Sequence, residues 1–141
     1  MKDNFNGSVV FFNASENPHG RTDHLGQQIL GSGVTQYNLV EYQINQLGQS
    51  FPGDQLDELL AGIDEADVIV IGIPIYWHMM SGLAKTFFER LSRDGNGILR
   101  GKQLKVFIHG SDPRDAIDST ENLVHWFCRV EGMTNLGVEV V

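Results

Sequence analysis

Short apolar runs alternate along the chain with segments whose apolar residues recur at helical spacing. The runs predict five β-strands, over residues 8–12, 35–42, 67–73, 104–109 and 136–141. The helical spacing predicts four amphipathic helices between them, starting near residues 22, 54, 81 and 118. Because strands that alternate with helices form right-handed βαβ units, the pattern predicts a parallel sheet covered by helices on both faces.

Single residues indicate where the helices begin and end. Gly31 is placed to end the first helix, Asp54 to cap the second and Ser81 to open the third. Asp118 and Glu121 have the spacing of a capping box, which predicts the start of the fourth helix. Each helix is therefore bounded by its own local signals.

Five parallel strands fit the flavodoxin-like order 2-1-3-4-5. We therefore expect an α/β fold with this doubly wound sheet in a single domain over residues 1–141. Pro74 should end the third strand, because proline has no N–H to donate to a sheet. The last predicted strand reaches Val141, so we expect the final helix of such folds to be lacking. The apolar face around Val138 and Val140 would then be open, and a homodimer is the simplest cover for it.

The composition narrows the classes of function. The 141 residues carry a formal net charge of −8, which argues against a nucleic-acid or anionic-membrane surface. Cys128 is the only cysteine, which excludes an internal disulfide and a thiolate zinc site. Residues 1–7 contain no apolar signal segment, and the longest apolar run, residues 68–77, is too short to span a bilayer. We therefore expect a cytoplasmic protein.

In this fold, ligands bind where strands 1, 3 and 4 end. The first loop, residues 13–22, follows strand 1 and contains groups suited to a phosphate. Ser15 and Thr22 supply hydroxyls, Gly20 leaves room for the backbone, and Arg21 could add a charge-assisted bond. The alternative is an ordinary loop with Thr22 as a helix N-cap.

The second loop, residues 74–82, begins with Pro74 and Ile75 and continues with two adjacent aromatic residues. Tyr76 and Trp77 follow the buried third strand and could form a flat apolar wall for a planar ligand. They could equally cover the top of the core, because aromatic residues are common packing residues.

The third loop, residues 109–114, follows the fourth strand. Gly110 and Ser111 offer flexible backbone and a small polar side chain at the same edge of the sheet. His109 is either a ligand-binding residue or a satisfied residue at the end of a strand. The three loops together predict one crevice.

Several of these residues resemble the NADPH-dependent FMN reductase and NAD(P)H-dependent quinone oxidoreductase family. The resemblance lies in Ser15, Gly20 and Thr22, in the strand over residues 66–70, and in residues 74–77 followed by Met80, Gly82 and Lys85. It implies that FMN binds noncovalently, with its phosphate on Ser15, Arg21 and Thr22. The isoalloxazine ring would lie beside residues 74–77 and 109–111. It further implies hydride transfer from NAD(P)H through the flavin to a quinone, a flavin or a similar small acceptor.

We expect neither a catalytic acid or nucleophile nor a metal site, because the flavin would do the redox chemistry. His19 and His24, for example, have no third candidate ligand nearby in the sequence. Two other functions stay open: a flavodoxin-type electron carrier whose acidic surface docks a reductase, and a flavin-free interaction domain of the same fold.

Overall fold

The computed structural model describes residues 4–141; residues 1–3, part of the start for which we expect no signal segment, lie outside it. The strands are β1 (Val9–Asn13), β2 (Thr35–Asn38), β3 (Val68–Tyr76), β4 (Met79–Met80), β5 (Gln103–His109) and β6 (Thr134–Val140). The helices are α1 (Arg21–Leu30), α2 (Leu56–Asp64), α3 (Gly82–Asp94) and α4 (Ile117–Glu131). Short 3₁₀ turns cover Leu39–Glu41 and Pro113–Ala116.

The main sheet has the order β2-β1-β3-β5-β6, and all of its neighbouring strands are parallel. This confirms the predicted order, because the fourth and fifth strands of the sequence pattern are β5 and β6. The pattern missed β4, which pairs antiparallel with the end of β3 and forms a hairpin. Two residues are too few for any periodicity to be visible.

Both faces of the sheet are covered, as the continuous apolar strands require. On one face, α1 buries Leu25 and Ile29 against Phe11, Val70 and Phe107. On the other face, the larger part of the core gathers side chains of α2, α3 and α4. The strand β3 is consequently buried from Val68 to Pro74.

The predicted end of the third strand is wrong: β3 runs through Pro74 to Tyr76. Pairing with β1 stops at Gly72, whereas pairing with β5 continues to Pro74. Gly72 presents its carbonyl to Ala14 on the β1 side, and alternate residues of a strand present their polar groups to the same side. The N–H that Pro74 lacks would therefore lie on the β1 side of the strand. Because β1 has already ended at this point, the proline costs no hydrogen bond of the sheet.

Some of the predicted helix boundaries are confirmed and others are wrong. Gly31 ends α1, with a φ of 82° and its N–H bonded to the Gln27 carbonyl. The Ser81 hydroxyl caps α3 by accepting from the Ala84 N–H. The predicted capping box of α4 is wrong, because Ala116 occupies the N-cap position and Asp118 lies inside the helix.

The second helix begins at Leu56, with Gln55 rather than Asp54 at the N-cap position. One Asp54 oxygen still accepts from the Leu56 N–H, at 3.0 Å. The other accepts from the Asn45 N–H and from Arg90 of α3, so Asp54 links two elements instead of only starting one. Hydrogen bonds from Arg90 hold the pKa of Asp54 well below its ordinary value.

The last helix, α4, precedes β6, and β6 is the last element of the described residues. Val138 packs against the core, whereas Val140 is 39% exposed on this edge strand. Within residues 4–141 no helix has the length and apolar character needed to cross a membrane.

Candidate functional site

The sheet register brings the three predicted loops to one edge. Asn13, the last residue of β1, pairs with Gly72 of β3, and Pro74 pairs with His109 at the end of β5. The first, second and third loops therefore leave neighbouring strands side by side. The fold places their residues around one crevice at the carboxyl ends of the strands.

The Asn13 side chain lies beneath the first loop and is fully buried. Its Oδ1 accepts from the Ser15 N–H at 3.0 Å, and its Nδ2 donates to the Pro18 carbonyl at 3.5 Å. Nδ2 also donates to Asn38 Oδ1 of the neighbouring strand β2 at 3.2 Å. A single amide thus ties both halves of the loop to the sheet. Sequence reasoning assigned Asn13 no role, although a polar residue ending a buried strand was a visible signal.

The rest of the first loop is a series of tight turns. Ser15 Oγ accepts from the Asn17 N–H at 3.1 Å, and Asn17 Oδ1 accepts from the His19 N–H at 3.0 Å. A Cβ at Gly20 would lie 2.9 Å from Asn17 Nδ2, so a larger residue here would have to displace the Asn17 side chain. Gly20 also occupies the N-cap position of α1, where it has no side chain to cover the N–H groups of the first turn.

Thr22 and His109 meet under the loop. Thr22 is the second residue of α1, not its N-cap, and is 1% exposed. Its Oγ1 lies 2.6 Å from His109 Nε2. Burial lowers the pKa of His109, and the positive charge of nearby Arg21 lowers it further. His109 is therefore a neutral ring near neutral pH, and Arg21 itself is exposed.

The second loop forms a hairpin over the crevice. Ile75 and Tyr76 pair with β4, and the two residues of the turn, Trp77 and His78, have φ values of 50° and 64°. Two left-handed residues make a type I′ turn, which is otherwise dominated by glycine and asparagine. Trp77 is 92% exposed, so it does not cover the core.

Two contacts hold the hairpin in place. The Tyr76 hydroxyl oxygen accepts from the Glu16 N–H at 3.3 Å and lies 3.5 Å from Ser15 Oγ, which connects the second loop to the first. At the turn, His78 Nδ1 lies 2.6 Å from Asp115 Oδ2. Sequence reasoning missed Asp115, because nothing in its local pattern separates it from other exposed acidic residues.

The remaining predicted residues lie between the second and third loops. Pro74 is buried and Ile75 is half-buried. Gly110 is in close contact with Ile75, because a Cβ at Gly110 would lie 3.4 Å from Ile75 Cβ. A pocket of about 190 Å³ opens here, lined by Ile75, Trp77, His78, Ser111 and Asp112. Among residues 4–141 no group of three or more His, Cys, Asp or Glu side chains is arranged to hold a metal ion.

Acidification is expected to destabilise the protein through His109. Burial lowers the His109 pKa below its ordinary 6.5, so the unfolded chain takes up this proton before the folded one. The stability that the neutral His109 ring contributes is complete above pH 6.5 and is lost as the pH falls below it. Asp54, whose pKa is also lowered, loses its contribution to stability only below its ordinary pKa of 3.8.

Urea unfolding at pH values around and below 6.5 should show a smaller pH dependence in His109→Gln, while His125→Gln, at an exposed position, should match the wild type. If the free energy of unfolding changed equally with pH in all three proteins, His109 would not be a source of the pH dependence.

Comparisons with known proteins agree with this architecture. A family described as NADPH-dependent FMN reductase matches residues 8–141. The FMN-dependent NADH:quinone oxidoreductase 6 of Burkholderia lata is 30% identical over 93 residues, which cover 59% of this chain and 44% of that protein. The chain thus spans less than half the length of this curated relative.

Solved structures share the fold. The Trp repressor binding protein of Bacillus subtilis superimposes with a TM-score of 0.69 at 23% identity, covering 94% of this chain and 85% of that one. The flavoenzyme NAD(P)H:(acceptor) oxidoreductase of Paracoccus denitrificans superimposes with a TM-score of 0.67 at 15% identity, covering 93% and 75%.

Proposed function

Because the chain belongs to the NADPH-dependent FMN reductase family, we propose that it is an FMN-dependent oxidoreductase. It would transfer a hydride from NAD(P)H through bound FMN to a small acceptor such as a quinone or a flavin. The observation that carries the proposal is the convergence of the first, second and third loops at one edge of the sheet.

We propose that the first loop holds the phosphate of FMN. The helix α1 starts directly behind it, and the N–H groups of the first turn of a helix have no partners within the helix. We propose that Ser15, Arg21 and Thr22 hold the phosphate there. Gly20 supports this assignment, since at the N-cap position it leaves the N–H groups of the first turn uncovered. The hydrogen bonds between Asn13 and the loop come from the protein itself, so we expect little ordering to be required on binding.

We propose that the crevice between the second and third loops holds the isoalloxazine ring. We propose that Pro74, Ile75, Tyr76 and Trp77 line one side of the ring. On the other side His109, Gly110 and Ser111 would bring backbone groups close to it. The exposed Trp77 side chain offers a large apolar surface to a planar ligand.

The chain's own residues would bind and orient the cofactor. FMN, when bound, supplies the redox chemistry, taking a hydride from NAD(P)H and passing electrons to the acceptor. The bonds from Tyr76 to the first loop and from His78 to Asp115 would hold the hairpin over the ring and limit access of water.

We further propose that the protein is a cytoplasmic homodimer. Large apolar side chains remain exposed on two elements, Trp126 and Val130 on α4 and Val140 on β6. Such surfaces commonly mark contacts between subunits. Sedimentation of the full chain measures the oligomeric state directly.

The proposal is tested with purified protein that is incubated with FMN and then freed of excess flavin. We expect yellow protein that bleaches anaerobically with NADH or NADPH and regains its colour when a quinone is added. Protein that stays colourless would contradict FMN binding and favour a flavin-free interaction domain. Yellow protein that is bleached by a flavodoxin reductase, but not by either nicotinamide, would identify an electron carrier instead.

A further inference from the structure

Thr22 and His109 form a buried hydrogen-bonded pair between the first and third loops. The residues are 87 positions apart in the chain and are 1% and 6% exposed. Thr22 Oγ1 and His109 Nε2 lie 2.6 Å apart, within hydrogen-bond distance. The other ring nitrogen, His109 Nδ1, is buried and has no hydrogen-bond partner among the described residues.

The unpartnered nitrogen selects the tautomer of His109. A proton on Nδ1 would leave a buried N–H without an acceptor, which is rare and costly in folded proteins. A proton on Nε2 leaves only a bare acceptor at Nδ1, which costs less. Nε2–H therefore donates to Thr22 Oγ1, and the hydroxyl keeps its own hydrogen for another acceptor.

We propose that His109 is a positioning residue that makes the Thr22 hydroxyl a dedicated hydrogen-bond donor to the phosphate of FMN. The inference rests on the function proposed above. With His109 on one side of Oγ1, the hydroxyl hydrogen must point away from the imidazole. Without His109, the hydroxyl is free to rotate and donate to a backbone carbonyl of the preceding turn, as threonine does within helices.

The test compares the affinities for FMN and for riboflavin, which is the same ring system without the phosphate. In His109→Phe, a ring of similar shape without the donor, we expect FMN affinity to fall on the order of ten-fold, as for loss of one bond to a charged group. Riboflavin affinity should fall much less, because only the backbone of His109 is proposed to lie beside the ring. His109→Gln, which can place an N–H near the position of Nε2, should restore most of the loss. Thr22→Ala should show the same phosphate-specific loss, and adding His109→Phe to it should cost nothing more.

Each other outcome overturns the inference. Equal losses of FMN and riboflavin in His109→Phe would mean that His109 only supports the fold. Additive losses in the double variant would mean that His109 acts independently of Thr22. Wild-type protein that binds no FMN would contradict the proposed function itself. That result differs from a failure of the Thr22–His109 inference, which these affinity measurements would show only in the variants.

A second measurement needs no flavin. ¹⁵N NMR of the histidine rings in the wild-type protein should show His109 protonated at Nε2 and not at Nδ1. Because it uses the wild-type protein, this measurement tests the inference even if His109→Phe does not fold. A proton on Nδ1 would overturn the inference whatever the flavin affinities are.

Discussion

Gly72→Val is expected to destabilise the protein by about 3 kcal/mol, the upper range for overpacking a core. A Cβ at Gly72 would lie 2.4 Å from Phe107 Cζ and 2.9 Å from Thr22 Cγ2. The Phe107 ring is 1% exposed and stacked on Phe11, and Thr22 is also 1% exposed, so neither side chain has free space to move into. Thermal unfolding should show a fall in Tm of roughly 10 °C, from the usual entropy of unfolding for a chain of this size.

The same substitution should also lower FMN affinity on the order of ten-fold, as expected for Thr22→Ala, because the valine would press on Thr22 beside His109. Gly82→Ala is the matched control, since a Cβ at Gly82 at the start of α3 meets nothing within 4 Å. The control should keep the wild-type Tm and FMN affinity. A Gly72→Val protein with the wild-type Tm would show that the sheet tolerates a side chain at its centre.

Asp54→Ala is expected to cost about 3 kcal/mol, the usual penalty for removing one partner of a buried ion pair. The Arg90 side chain is 9% exposed and donates to Asp54 Oδ2 at 2.6 Å. It also donates to the Asn45 carbonyl and to Asp94, so it joins the segment before α2 to α3. Without Asp54, the guanidinium stays buried with only one of its two carboxylates. Urea unfolding measures the loss.

Two further variants decide whether the ion pair is the cause. Asp57→Ala lies near the start of the same helix but is exposed, and it should change the free energy of unfolding by less than about 0.5 kcal/mol. The double variant Asp54→Leu with Arg90→Met should be more stable than Asp54→Ala, because no charge is then left buried. A double variant as unstable as Asp54→Ala would contradict this explanation.

Much of the site was predictable because its residues follow directly after buried strands. The apolar runs located β1, β3 and β5, and the rule for parallel sheets then placed the first, second and third loops together. The detailed roles were less predictable. Thr22 was expected to face a phosphate as a loop residue, and in the structure its hydroxyl pairs with His109.

Errors in the predicted fold arose where an element depends on its neighbours. The strand β3 continues through Pro74 because β1 ends earlier than β5 does, a difference that no local pattern around Pro74 can reveal. The hairpin strand β4 exists only because Met79 and Met80 pair with the extended end of β3.

The sequence by itself determined the order of the helices and of the strands of the parallel sheet, and it predicted the edge at which a ligand would bind. These follow from apolar periodicity and local capping, which act over a few residues. Only the tertiary structure decided the pairs Thr22–His109, His78–Asp115 and Arg90–Asp54, which join residues 87, 37 and 36 positions apart. Such hydrogen bonds need a separation of about 3 Å, and only the packed sheet and helices bring these side chains that close.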